Sequence, residues 1–74
     1  MEQQSAVAIR AADLRAEIAR QRVRIYKVAS RAGIHPITIG RILSEKLGLS
    51  DRAATRIMDA IREEAAEQAA HGLR

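Results

Sequence analysis

The sequence has no cysteine, no tryptophan and no phenylalanine, and Tyr26 is its only aromatic residue. Without cysteine the chain forms no disulfide and offers neither a thiolate metal ligand nor a thiol nucleophile. Without bulky aromatic rings, a hydrophobic core has to be built from Ile, Leu, Val, Met and Ala, which suits packed helices better than a sheet. The composition therefore predicts an all-α protein.

Other features that the chain lacks narrow its chemistry further. No stretch approaches the roughly 20 consecutive apolar residues of a membrane span, and the opening MEQQSAVAIR does not have the pattern of a secretory signal. The two histidines, His35 and His71, are isolated, and no acidic pair or Ser, His and Asp set is spaced for catalysis. We therefore expect a cytoplasmic protein that is not an enzyme and that uses no metal, cofactor or small-molecule substrate.

The 74 residues suffice for one small domain, and the charge is unevenly distributed along it. The formal net charge is +4, but the segment from Arg20 to Lys46 contains seven basic residues and only one acidic residue, Glu45. Such a block is typical of proteins that neutralise the phosphates of a polyanion. A solvated basic face without a partner has the same composition and is the alternative.

Apolar residues in the first third of the chain recur at helical spacing. We predict a first helix from about Ser5, a suitable N-cap, to Arg20 or Gln21. Its core-facing residues are Val7, Ala11, Leu14 and Ile18. A second and weaker apolar face consists of Ile9, Ala12, Ala16 and Ala19.

A glycine and the only proline of the chain interrupt the next helical segment. The pattern predicts a second helix from Ile25 to Ala32 that Gly33 ends, because glycine readily adopts the left-handed conformation of a helix terminus. Pro36 fits the first turn of a third helix, where its missing N–H has no intrahelical acceptor. We expect this helix to end near Lys46. Two helices joined in this way form a helix-turn-helix, and we expect the small Ala29 to lie where they cross closely. The apolar side of this motif consists of Val28, Ala32, Ile34, Ile39 and Ile42.

The last third of the chain predicts one long helix. Ser50 is a suitable N-cap, Asp51 is favourably placed at the positive end of the helix, and the helix runs to His71 with Gly72 as its stop. The inward stripe consists of Ala54, Ile57, Met58, Ile61 and Ala65. The glutamates of this helix are predicted to form a solvated face of Glu63, Glu64 and Glu67.

The segment IYKVASRAGIHPITIGRILS, residues 25–44, resembles the helix-turn-helix of the phage lambda repressor and Cro family, also called Xre-like. Members often combine a helix of small residues, AG followed by an aliphatic residue, a Ser-Pro-like helix start and RI near the end. The flanking LRAEIARQRV and GLSDRAATRIMDAIRE are similar to the neighbouring helices of that fold. The resemblance implies a compact, lambda-repressor-like DNA-binding domain of four to five helices.

The same resemblance implies which residues meet DNA. The third helix would lie in the major groove, and the second would cross the DNA backbone. Arg41 is suited to a bidentate contact with guanine, Ile37 to a thymine methyl group and Gly40 to a close approach. The positions implied to face the bases are Pro36, Ile37, Thr38, Gly40, Arg41 and Ser44. Those implied to contact the DNA backbone are Arg24, Tyr26, Lys27, Arg31, His35 and Lys46, with packing under the helices as an equal alternative for Tyr26.

Motif and charge together predict a sequence-specific regulator of transcription that binds double-stranded DNA, of the Cro type found in phages and prophages, and represses by occupying its operator. One alternative keeps DNA binding and makes the chain the antitoxin of a toxin–antitoxin pair. Another is a helical protein-interaction module without nucleic-acid binding. Because one recognition helix reads only a few base pairs, we expect a weak homodimer that DNA strengthens. Its candidate contacts are the face around Ile9 and the Ala-rich end, residues 65–70.

Overall fold

Helices dominate the part of the chain that the structure describes. The structure is a computed structural model, and it describes residues 9–72. Within them lie four helices, α1 (Ala11–Gln21), α2 (Ile25–Ala32), α3 (Pro36–Leu43) and α4 (Asp51–Gly72). No strand lies in residues 9–72, so the prediction of an all-α fold is confirmed for this part of the chain.

Helix α1 begins later than the sequence pattern predicts. Arg10 is its N-cap in an extended conformation, φ −102° and ψ 162°, and the Arg10 backbone N–H donates to Oδ2 of Asp13 over 2.9 Å. Ile9 therefore precedes the helix and packs against the core, so the predicted second apolar face that included Ile9 is wrong. The predicted N-cap Ser5 and the predicted core residue Val7 lie outside the described residues.

The predicted bounds of α2 and the predicted start of α3 at Pro36 are confirmed. Gly33 has the expected left-handed backbone, with φ 71°. The N–H groups of Gly33 and Ile34 donate to the carbonyls of Ser30 and Ala29 over 3.3 and 3.0 Å, which closes the end of α2. The turn between the two helices thus consists only of residues 33–35.

Helix α3 ends at Leu43, before the predicted end near Lys46. The chain leaves the helix because Glu45 adopts a left-handed backbone, with φ 64°. The N–H groups of Glu45 and Lys46 then donate back to the carbonyls of Ile42 and Arg41 over 3.0 and 2.8 Å. Helix α3 is therefore closed in the same way as α2, but without a glycine.

Helix α4 begins where it was predicted to begin. The Oγ of Ser50 accepts from the backbone N–H of Ala53 over 3.1 Å, and the helix continues through Gly72, the last described residue. Its buried residues are Ala54, Ile57, Ala60, Ile61 and Glu64. Met58 and Ala65 are partly buried and pack against the core. The predicted inward stripe is therefore confirmed, and it also includes Ala60 and Glu64.

The core lies where α4 packs against α1 and α2, and α3 packs against the same two helices. Its fully buried larger side chains are Leu14, Val28, Ile39, Ile57 and Ile61. Ala29 is completely buried, in agreement with the small residue expected where α2 and α3 cross. Among the helices of residues 9–72, none is both long enough and apolar enough to cross a membrane.

Candidate nucleic-acid interface

Helix α3 is divided lengthwise into a buried and an exposed side. Ile39, Ile42 and Leu43 are buried, and Thr38 is half-buried at the boundary. The exposed residues, which we call the outer face of α3, are Pro36, Ile37, Gly40, Arg41 and Ser44. Ile37 is the most exposed large hydrophobic side chain in residues 9–72, with 63% of its surface exposed. All but one of the residues predicted to face DNA bases are therefore together on one accessible surface.

His35 caps the start of α3. Its Nδ1 accepts from the backbone N–H of Ile37 over 3.1 Å, and Pro36 occupies the first helical turn. Because Nδ1 accepts, the neutral ring carries its proton on Nε2, which is the atom available to donate to another molecule. His35 is thus fixed at the N-terminal end of the outer face with one ring nitrogen committed to the fold.

Gly40 lies in the middle of α3, where glycine destabilises a helix by about 1 kcal/mol relative to alanine. Its backbone is helical, and a Cβ added at this position meets no atom within 4 Å. Neither backbone conformation nor packing within the described residues requires a glycine here. The missing side chain instead leaves room for another molecule to approach the helix backbone closely.

Three basic side chains beside or on the outer face have no ion-pair partner within residues 9–72. Arg24 is the N-cap of α2, Arg41 lies on the outer face itself, and Lys46 follows the end of α3. All three are exposed. Arg22, at the end of α1, is also exposed and has no such partner there. Within the described residues, the charge of these members of the basic block is available to an anionic partner.

Arg31 and Lys27 face the carboxylates of α4 instead. The Nε of Arg31 donates to Oε1 of Glu64 over 2.7 Å, and its other nitrogens pair with Glu67 and, at 3.9 Å, with Glu63. The Nζ of Lys27 lies 4.0 Å from Oε2 of Glu64. Two residues that were predicted to contact the DNA backbone therefore have acidic partners within the fold.

Glu64 is only 4% exposed, so the prediction of a solvated glutamate face is wrong for this residue. A buried carboxylate requires a hydrogen-bonded counter-charge, which Arg31 supplies. The sequence held a signal for the burial, because Glu64 follows Ile57 and Ile61 at helical spacing on the same side of α4. It held none for the partner, which depends on how α2 packs against α4.

An apolar groove of about 370 Å³ adjoins the outer face of α3. Its lining residues are Arg15, Ile18, Ala19, Ile25, Gly40, Leu43 and Ser44. Gly40 and Ser44 belong to both surfaces, so the groove continues the outer face toward α1 and the start of α2. Tyr26 is 55% exposed and is therefore not packed under the helices.

Arg20, another member of the basic block, is paired within α1. Glu17 accepts from the Gln21 side-chain amide over 2.8 Å and from the guanidinium of Arg20. The hydrogen bond from Gln21, followed by that from Arg20, holds the pKa of Glu17 below its ordinary value. The charge of Arg20 is therefore partly neutralised by its own helix.

The outer face of α3 and its borders thus combine hydrogen-bond donors, one exposed aliphatic side chain and positive charges that have no partner in the described part of the chain. Within residues 9–72, no group of three or more His, Asp or Glu side chains is arranged to hold a metal ion. Comparisons of the chain with protein-family models, with curated proteins and with solved structures find no match.

Proposed function

We propose that this protein is a sequence-specific DNA-binding regulator of transcription of the lambda repressor and Cro type, and that α3 enters the major groove. The observation that carries the proposal is the outer face of α3, where Gly40, which nothing in residues 9–72 requires to be a glycine, lies among exposed side chains. Cations that have no ion-pair partner in the same residues border this face. A helix with its side chains measures about 10 to 12 Å across, which fits the roughly 12 Å width of the major groove.

The outer face supplies the chemistry for reading base edges. The planar guanidinium of Arg41 can donate two hydrogen bonds to O6 and N7 of guanine, and Ile37 can pack against a thymine methyl group. Gly40 lets the helix backbone approach the floor of the groove because no Cβ intervenes. Sequence preference in this account comes mainly from Arg41 and Ile37.

Other groups around α3 can hold the phosphates that flank the reading surface. Arg24 precedes α2 and Lys46 follows α3, and both are exposed without an ion-pair partner in the described part of the chain. The Nε2 of His35 and the hydroxyl group of Tyr26 are additional donors at this surface. We assign no phosphate contact to Arg31, because its guanidinium is occupied by glutamates of α4.

One short recognition helix reads few base pairs, so we propose that two copies bind half-sites about 34 Å apart and repress by occupying the operator. The face around Ile9 is no longer a candidate for their contact, because Ile9 packs against its own core. The remaining candidate is the C-terminal half of α4, where Ala66, Ala69 and Ala70 are exposed.

The test is selection of bound duplexes from a random library by the full chain, followed by affinity measurements from 50 to 200 mM salt. We expect one enriched sequence, and an affinity that falls roughly a hundredfold to a thousandfold over this range for the four to six phosphates that a pair of chains would neutralise. No enriched sequence, together with an affinity indifferent to salt, would contradict the proposal.

A further inference from the structure

The last four carbonyl groups of α3 have no N–H donor within the helix, so their hydrogen bonds must come from groups outside it. Three of them have backbone donors in the following turn: the carbonyls of Gly40, Arg41 and Ile42 accept from Ser44, Lys46 and Glu45 over 3.0, 2.8 and 3.0 Å. The fourth, the carbonyl of Leu43, accepts from the guanidinium of Arg15 on α1. The end of α3 is therefore completed by a side chain from another helix.

Arg15 also contacts the residue at which the chain turns away from α3. Its Nη1 lies 3.4 Å from Oε2 of Glu45, the residue whose backbone is left-handed at φ 64°. This conformation is unfavourable for a residue with a side chain, so a contact with that side chain helps to hold the turn. One guanidinium thus contacts both the last carbonyl of α3 and the turn that follows it.

We propose that Arg15 is a positioning residue for the outer face of α3, which sets the direction of α3 relative to α1 without contacting DNA. The inference rests on the proposed function of α3. A helix of eight residues has little stability of its own, so its neighbours determine where it points. Apolar packing against α1 is non-directional, whereas the hydrogen bond from a guanidinium to a carbonyl has a preferred direction.

The consequence concerns the last turn of α3, which holds Arg41 and leads to Ser44. A bidentate contact with a base edge tolerates little misplacement of the side chain that makes it. The Arg15 side chain is 46% exposed, so its contacts add little to the stability of the fold. Loss of Arg15 should therefore change the selectivity among duplexes more than it changes folding.

The variant Arg15→Leu removes the donor and the charge but keeps an apolar side chain in the groove beside α3. The affinities of the unaltered chain and of Arg15→Leu are measured on the selected duplex, on its single-base variants and on an unrelated duplex. Each is measured over a range of salt concentrations. We expect the ratio of selected to unrelated affinity to fall about tenfold, with an unchanged salt slope. Arg20→Leu is the matched control, because it removes the same charge from α1 but its partner Glu17 lies on the same helix. It should keep the ratio.

Three results would overturn the inference. An equal loss on every duplex would mean that Arg15 affects only the amount of folded protein. A salt slope reduced by about one would mean that Arg15 itself neutralises a phosphate. An unchanged ratio would mean that α3 is positioned without it.

Failure of the proposed function is recognised separately, because the unaltered chain would then prefer no duplex. In that case the anchoring of α3 is still measured in the free protein by amide hydrogen exchange. Arg15→Leu should speed exchange about fivefold at Glu45 and Lys46, whose N–H groups close the end of α3. Unchanged exchange at these amides would overturn the inference without any DNA measurement.

Discussion

The Nε of Arg31 donates to Oε1 of Glu64 over 2.7 Å, and this hydrogen bond joins α2 to α4 at a carboxylate that is nearly inaccessible to solvent. Removing Arg31 leaves the charge of Glu64 buried without its main partner. We expect Arg31→Ala to lower the free energy of unfolding by about 2 to 3 kcal/mol. This loss is smaller than that for a completely buried ion pair, because the Arg31 side chain is 30% exposed. Chemical denaturation measures this loss.

The matched variant combines Arg31→Leu with Glu64→Leu. It removes both charges and fills their place with apolar side chains. It should recover most of the lost stability, because no unpaired carboxylate remains buried. If the double variant is no more stable than Arg31→Ala, the loss does not come from the stranded charge of Glu64. At equal folded fraction, Arg31→Ala should also keep the salt slope of DNA binding.

Arg22 and Glu45 are left-handed at the ends of α1 and α3, where α2 has Gly33. A left-handed backbone costs a residue with a side chain roughly 1 to 2 kcal/mol, and replacement by glycine removes this cost. Glycine also raises the conformational entropy of the unfolded chain, which offsets part of the stability gained. We expect Arg22→Gly to raise the free energy of unfolding by about 0.5 to 1 kcal/mol. Arg22→Ala controls for the lost side chain, and equal stabilities of the two variants would contradict the backbone explanation.

The fold was predictable wherever neighbouring residues determine it. Gly33, Pro36 and Ser50 determine the backbone only within one or two helical turns of themselves. The end of α2 and the starts of α3 and α4, which depend on them, lie at the predicted residues. The predicted end of α1 at Arg20 or Gln21 is confirmed, although Arg22 has a left-handed backbone. The end of α3 was not predictable, because no residue type at Glu45 marks the left-handed backbone that ends the helix.

The site was predictable in part for the same reason. The exposed side of α3 follows from helical periodicity, so the outer face was identified almost completely. The partners of the basic residues do not follow from it, because the contacts of Arg15 and Arg31 span 28 and 33 residues of sequence. Arg31 was therefore expected to contact the DNA backbone, although its partners are on α4.

We expect Glu17 to contribute to stability in a pH-dependent way. The hydrogen bonds from Gln21 and Arg20 hold its pKa below the ordinary value, so folding favours the ionised carboxylate. The contribution is present above the pKa of the unfolded chain, about 4.3, and is lost as the pH falls below it through the lowered folded-state pKa. In Glu17→Gln, stability measured from pH 6 to pH 3 should decline less steeply, and an equally steep decline would rule this out.

Gly40→Ala should change folding and DNA binding in opposite directions. Alanine in the helix interior should raise the free energy of unfolding by about 0.5 to 1 kcal/mol, because the added Cβ meets nothing within the fold. The same methyl group should lower the affinity for the selected duplex about tenfold or more, because it keeps α3 further from the floor of the DNA major groove. Gly48→Ala, which also adds a Cβ in open space but lies outside α3, is the control and should keep the affinity. A Gly40→Ala chain that is more stable and binds equally well would show that no partner approaches α3 at this point.

The central claim is that the outer face of α3 reads bases, and Arg41→Ala tests it most directly. The variant is measured on the selected duplex and on every single-base change of it, beside Lys46→Ala. We predict that Arg41→Ala costs about 1 to 3 kcal/mol on the selected duplex and removes the preference at one base pair of each half-site. Lys46→Ala should weaken binding to all duplexes alike and reduce the salt slope by about one. If Arg41→Ala leaves the ranking of the single-base variants unchanged, Arg41 reads no base and α3 does not lie in the groove as proposed.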